Sequence, residues 1–183
     1  EEALGLTSMQ KIPPKIITPS ESEYAELFSR LSYHYDAVIS IHPSRELSES
    51  WQNGRRAAQQ VSSSQCEIAI VDSRSLCAGQ GMLVRVAARA IQEQQSVEDI
   101  VQAVRGAVDR IYSVYYVEEL EYLRLNRIMK PSHAILSMQL GIKPFVSLEE
   151  GKLIVIEKVR TRSQAIERLV EFLVEFIELD DAV

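Results

Sequence analysis

Strands alternating with helices, followed by a hairpin and one long helix, predict an α/β protein: a parallel β-α-β-α-β lobe and then a smaller α+β lobe. Three observations carry this expectation. Ala37-Val38-Ile39-Ser40-Ile41 and Ile68-Ala69-Ile70-Val71 are short apolar runs rich in β-branched residues, the pattern of buried strands. The stretches between and after them repeat apolar residues at helical spacing. Further on, two strand-like runs flank Glu149-Glu150-Gly151-Lys152, which reads as a hairpin turn with Gly at a position of positive φ.

Taken in order, Pro13-Pro14 imposes an extended entry, and Ile16-Ile17 is expected as a short strand. Ser20-Glu21-Ser22-Glu23 is a capping box, and Tyr24, Leu27, Phe28 and Leu31 continue it as a helix. Residues 37–41 form the first clear strand and 48–60 a helix. Residues 68–71 are the second strand, followed by helices over about 80–94 and 96–108. Residues 111–117 are expected as a third strand of the same sheet and 118–126 as a helix. Residues 143–148 and 153–159 make the hairpin. Ser163 opens a last helix carrying Ile166, Leu169, Val170, Leu173, Phe176 and Ile177. Strand–helix–strand order implies crossovers, right-handed by default, and hence a parallel sheet. The expected division is residues 1–128 as the α/β lobe and 129–183 as a partial second lobe, with Pro131 near the boundary.

Composition narrows the function. Of 183 residues, 46% are hydrophobic, enough for a real core, and the formal net charge is -6. That balance argues against nucleic acid and against an electrostatic membrane anchor. No apolar run is long enough to span a bilayer: 169–179 is broken by Glu171, Glu175 and Glu178. Cys66 and Cys77 form no C-x-x-C, and His34, His42 and His133 are scattered, so no metal site is expected. A reducing, cytoplasmic compartment is the simplest reading.

Ligands of open α/β sheets sit beyond the carboxyl ends of the strands. That rule points to residues 41–50, 72–81 and 117–119. The first loop holds Ser44, Ser48 and Ser50 ahead of a helix, where hydroxyls and free N–H groups suit a carboxylate or phosphate. The plainer use of Ser48 or Ser50 is helix capping, and the two roles are compatible. In the second loop, Gly79 and Gly81 fit close packing better than phosphate binding, because neither G-x-G-x-x-G nor a Walker lysine is present. Cys77 reads as an inert thiol and His42 as a structural histidine. No nucleophile–base pair can be read out for a transferase or hydrolase.

Read together, these segments resemble the DegV family of fatty-acid-binding proteins. Val71-Asp72-Ser73-Arg74 with Cys77, Gly79 and Gly81 is similar to the family's V-D-S-R-x-x-S-x-G-x-G. Residues 44–52 resemble its S-S-x-L-S-G-T-Y-Q, and Ile142-Lys143-Pro144 its I-K-P. Gly151 stands at its turn, Lys158-Val159-Arg160-Thr161 matches K-V-R-T, residues 123–128 stand at L-x-x-G-G-R-I, and Thr18-Pro19-Ser20 near T-S-Q-P-S. The resemblance implies two α/β-type lobes carrying a long-chain fatty acid between them. The carboxylate is held by hydroxyls, and the acyl chain is presented to a partner kinase. It implies a carrier with no catalytic residues, no cofactor other than the bound fatty acid, and no metal. Carried over by residue, the ligand-binding candidates are Ser44 and Ser48, then Thr18 and Ser20, with Arg127 and Arg160 as retained arginines.

The sequence departs from the family pattern at four places. Glu49-Ser50 replaces G-T, Leu125-Asn126 replaces G-G, Arg45 replaces the second Ser, and Ile16-Ile17 stand where the leading T-S would fall. Glu49 would repel a fatty-acid anion unless Arg45 pairs with it. The family's opening strand and closing G-P-G segment are also expected to be lacking. The alternative expectation is therefore an interaction subunit that kept the fold and lost the ligand.

Overall fold

The computed structural model describes residues 16–61, 66–118, 120–125 and 142–175. Its elements are α1 (Glu21–Ser32), β1 (Ala37–His42), α2 (Ser50–Val61), β2 (Glu67–Asp72), α3 (Cys77–Gln92), α4 (Val97–Val108), β3 (Val114–Tyr116), α5 (Leu120–Leu125), β4 (Lys143–Glu149), β5 (Lys152–Val159) and α6 (Arg162–Val174). The mixed α/β class is the one expected. The expected lobe boundary near Pro131 falls among residues 126–141, outside those described.

Two compact units emerge. One holds Thr18–Ser113 together with Ser147–Lys152, the hairpin tip. Here β1 and β2 pair in parallel, with Ala37 opposite Glu67 and His42 opposite Asp72. The period of two along a strand gives each face of this sheet its own core. Val38, Ile68 and Ile70 pack with Phe28, Ala57 and Ala58 of α1 and α2. Ile39, Ile41 and Val71 pack with Leu83, Ala87, Ala90, Ile100, Val104 and Ala107 of α3 and α4. Helices on both faces explain why the strands are almost wholly apolar. Fully buried Phe28 anchors the α1–α2 face, where truncation to Ala costs about 3–5 kcal/mol.

The helix starts follow the sequence signals. Ser20 caps α1 as a full capping box with Glu23, whose carboxyl is held below its ordinary value by hydrogen bonds from the Ser20 hydroxyl and backbone N–H. Ser96 caps α4 through the Asp99 N–H. Gly79 lets α3 approach closely, since a Cβ there would stand 2.2 Å from the Ser75 hydroxyl. Gly81 has nothing within 4 Å of that position and carries no such constraint.

The other unit comprises the described parts of Glu1–Ile17, Val114–Val146 and Leu153–Ala182. Phe145, Val159 and Ala165 form its buried cluster with Val114, Tyr116 and Leu169. Thr161 caps α6 by accepting from the Gln164 N–H, so the helix begins just before the expected Ser163.

Two expectations change. Ile16-Ile17 is not a strand, and both side chains are exposed. The third strand, shortened to Val114–Tyr116, does not extend the parallel sheet; the second sheet runs β3-β4-β5. Its backbone is satisfied there instead: the Val117 N–H donates to Pro144 O, and the Leu148 N–H to Ser113 O, an antiparallel pairing. The β4–β5 turn is as expected, with Glu150 at φ 49° and Gly151 at φ 80°, a two-residue turn of the type I′ class.

Candidate functional site

The loop from β1 to α2 is a folded cap rather than an open strap. The Ser44 carbonyl accepts from the Leu47 and Ser48 N–H groups, both at 3.0 Å. The Asp72 carboxylate closes the other side, accepting from the Arg74 N–H at 2.9 Å and the Arg45 N–H at 3.3 Å. Ser44 is completely buried. Its hydroxyl donates to Gly151 O at 2.6 Å and accepts from the Glu46 N–H at 3.2 Å. Gly151 must be glycine here on two counts: its φ is +80°, and a Cβ would stand 2.4 Å from the Ser44 hydroxyl. Ser44 thus joins the loop to the hairpin tip, 107 residues away.

Ser48 lies half-buried just before α2. Its hydroxyl accepts from the Ser50 N–H at 3.2 Å and stands 3.5 Å from the Thr18 hydroxyl. Two of the residues singled out by sequence therefore meet from distant segments. Asn53 fixes the Thr18 side, its side-chain amide donating to Pro19 O at 2.9 Å. The first turn of α2 carries no acidic residue, and its amide end favours an anion beside this hydroxyl pair, whereas Glu49, just before the helix, opposes one. Arg45 pairs with Asp72 and Glu46 rather than with Glu49, whose charge is exposed to solvent screening.

Behind the pair lies a buried polar network. On β1, Ser40 and His42 share the face of Val38, toward α1 and α2. His42 is 2% exposed. Its Nδ1 is 2.9 Å from the Ser50 hydroxyl and its Nε2 2.9 Å from the Ser40 hydroxyl. The Tyr24 hydroxyl reaches the same Ser50 oxygen at 2.6 Å, and its ring meets the His42 ring edge-on, centroids 5.2 Å apart. Gly54 makes room, since a Cβ there would stand 2.5 Å from the imidazole. Burial pushes the His42 pKa below its ordinary value, against the opposing pull of the Asp72 carboxylate.

The remaining candidates separate. Ser20 is exposed and engaged in the capping box, its hydroxyl 2.6 Å from the Glu23 carboxylate. Arg160 is exposed ahead of α6 in the other unit, where its backbone N–H donates to Gln164 Oε1 at 3.0 Å. Arg127 lies outside the described residues. Arg45 turns to Asp72 and Glu46, with N–O separations of 3.5 and 3.7 Å, and lies over the Trp51 ring at 5.7 Å. The sequence did not reveal the Tyr24–Ser50–His42–Ser40 network. Its one signal was the polar pair Ser40 and His42 recurring at strand period on a face opened by Val38.

Among the described residues, no group of three or more His, Cys, Asp or Glu could hold a metal ion, and no helix is long and apolar enough to cross a membrane. Cys66 is buried, Cys77 is exposed, and both are free.

Comparison with known proteins gives a consistent result. The family model described as "Uncharacterised protein, DegV family" matches residues 4–181. A DegV domain-containing protein of Caldanaerobacter subterraneus subsp. tengcongensis is 32% identical over 160 residues, covering 87% of this chain and 56% of that one. The crystal structure of a fatty-acid-binding DegV family protein from Streptococcus agalactiae superposes with a TM-score of 0.82 at 29% identity, over 95% of this chain and 62% of that chain. A DegV family protein from Thermus thermophilus, described by its fatty acid binding, gives 0.80 at 25% identity, over 95% and 61%. The chain spans a little over half the length of these proteins.

Proposed function

The chain belongs to the DegV family, and on that premise we propose that it binds a long-chain fatty acid, holding the carboxylate at the Thr18–Ser48 hydroxyl pair. The observation that carries this reading is the meeting of those hydroxyls, 3.5 Å apart, at the amide end of α2. Two hydroxyl donors and a helix amino terminus together suit one carboxylate. The fatty acid binding described for the relatives from Streptococcus agalactiae and Thermus thermophilus supports the choice of ligand.

In this reading the protein is a carrier, not an enzyme, works in the cytoplasm, and presents its acyl chain to a partner kinase. Arg160, and Arg127 by its place in the family motif, are the cations offered to that partner. Ser44 serves the loop by fixing it to Gly151, and Ser20 serves α1 as its cap. Lipid extraction and mass spectrometry of the purified protein test the carrier reading. A long-chain fatty acid in the extract, or saturable binding of added oleate, is the expected result. Neither a bound fatty acid nor oleate binding would leave the alternative, an interaction subunit without a ligand. Formation of acyl phosphate from loaded protein, ATP and a fatty-acid kinase tests presentation separately.

A further inference from the structure

We propose that His42 is a positioning residue for ligand binding, acting through Ser50 on the Thr18–Ser48 pair. The inference rests on the fatty-acid reading above but on different atoms, none of which need touch the ligand.

Ser50 is the first residue of α2 and belongs to two hydrogen-bonded systems at once. Its backbone N–H donates to the Ser48 hydroxyl at 3.2 Å, and its own hydroxyl is held between Tyr24 OH at 2.6 Å and His42 Nδ1 at 2.9 Å. A short side chain fixed at both sides leaves its own backbone little freedom. The direction of the Ser50 N–H, and with it the lone pair of Ser48 that it occupies, is therefore set from the buried side.

His42 is itself fixed. Ser40 holds Nε2 at 2.9 Å, Tyr24 meets the ring edge-on, and Gly54 admits the ring where a Cβ would clash with it. Either direction of donation makes all three links and satisfies both ring nitrogens: Tyr24 to Ser50 to Nδ1 with Nε2–H to Ser40, or the reverse. A buried network joined at each of these links is held in place, and removing one member leaves a buried group without its partner. On the ligand side, the Asn53 side-chain amide holds the carbonyl of Pro19, the residue after Thr18. The segment carrying Thr18 is thus held through Asn53 acting on Pro19, and Ser48 through Ser50 and His42.

The test compares oleate affinity, by displacement of a fluorescent fatty-acid probe, with thermal melting in the full chain and four variants. His42→Leu is expected to weaken oleate binding about tenfold. His42→Asn, whose amide reaches the position of Nδ1, is expected to restore most of it. His42→Gln, whose amide reaches the position of Nε2, is not, although it is as polar and as buried. Tyr24→Phe, which keeps the ring and removes only the hydroxyl, is expected to weaken binding about threefold. Oleate affinity unchanged in all four variants would overturn the positioning role, as would equal losses in the Asn and Gln variants that simply follow melting temperature. Failure of the unaltered protein to bind oleate would overturn the fatty-acid reading, and this role with it.

Discussion

Thr18 and Ser48 hold their hydroxyl oxygens 3.5 Å apart although 30 positions separate them in the chain. One comes from the segment leading into α1 and the other from the loop leading into α2. If the pair holds a carboxylate, Thr18→Val and Ser48→Ala should each weaken oleate binding about tenfold or more, the worth of a hydrogen bond to a charged group. Isothermal titration calorimetry of each variant measures this. Losses of less than twofold in both would remove the pair from the site.

Ser20, two residues after Thr18, has its hydroxyl engaged in the capping box instead. Its oxygen accepts from the Glu23 N–H and donates to the Glu23 carboxylate. Ser20→Ala should therefore cost about 1 kcal/mol of stability, as loss of a helix cap does, and leave oleate affinity alone. Urea denaturation and the same titration separate the two effects.

The hairpin tip offers a test of opposite signs. Gly151→Ala puts a Cβ 2.4 Å from the Ser44 hydroxyl at a φ of +80°, and should destabilise by about 1–3 kcal/mol. Glu150, at φ 49°, is also in the left-handed region, which Asn tolerates better than Glu. Glu150→Asn creates the favoured Asn-Gly turn and should raise stability by up to about 1 kcal/mol. Chemical denaturation of both variants checks the pair of signs.

Stability should also respond to His42. Its native pKa lies below the ordinary 6.5 because burial penalises the charged ring more than Asp72 favours it. The unfolded chain therefore takes up the proton first. This contribution is fully present above about pH 6.5 and is lost as pH falls through that value, levelling off once the native ring protonates. Unfolding free energies at several pH values from about 8 to 5 should show a decline that His42→Asn lacks. The groups facing the ring are Tyr24 on α1, Ser50 on α2, Ser40 on β1 and Asp72 on β2.

Local pattern made most of the fold legible in the sequence. Apolar runs such as 37–41 and 68–71 announce buried strands, and Ser20 and Ser96 announce helix starts, because each feature depends on neighbours within one turn or one strand. The third strand was legible as a strand but not in its partner. Nothing in Val114-Tyr115-Tyr116 says which backbone will accept its hydrogen bonds, and β4 does so. The site divides in the same way. The loop after β1 could be singled out as the candidate from topology and family resemblance. That Ser44 would spend its hydroxyl on Gly151, and that Arg45 would turn to Asp72 rather than Glu49, depends on contacts across 107 and 27 positions. The His42 network was hidden because each of its bonds is an ordinary hydroxyl contact until the helices bring Tyr24 and Ser50 together.

The most direct test of the carboxylate site is the NMR spectrum of carboxyl-labelled [1-¹³C]oleate added to the protein and to the Thr18→Val, Ser48→Ala double variant. A discrete bound carboxyl resonance is expected in the unaltered protein and should be lost or clearly displaced in the variant. The same bound resonance in both proteins, at the same affinity, would contradict it.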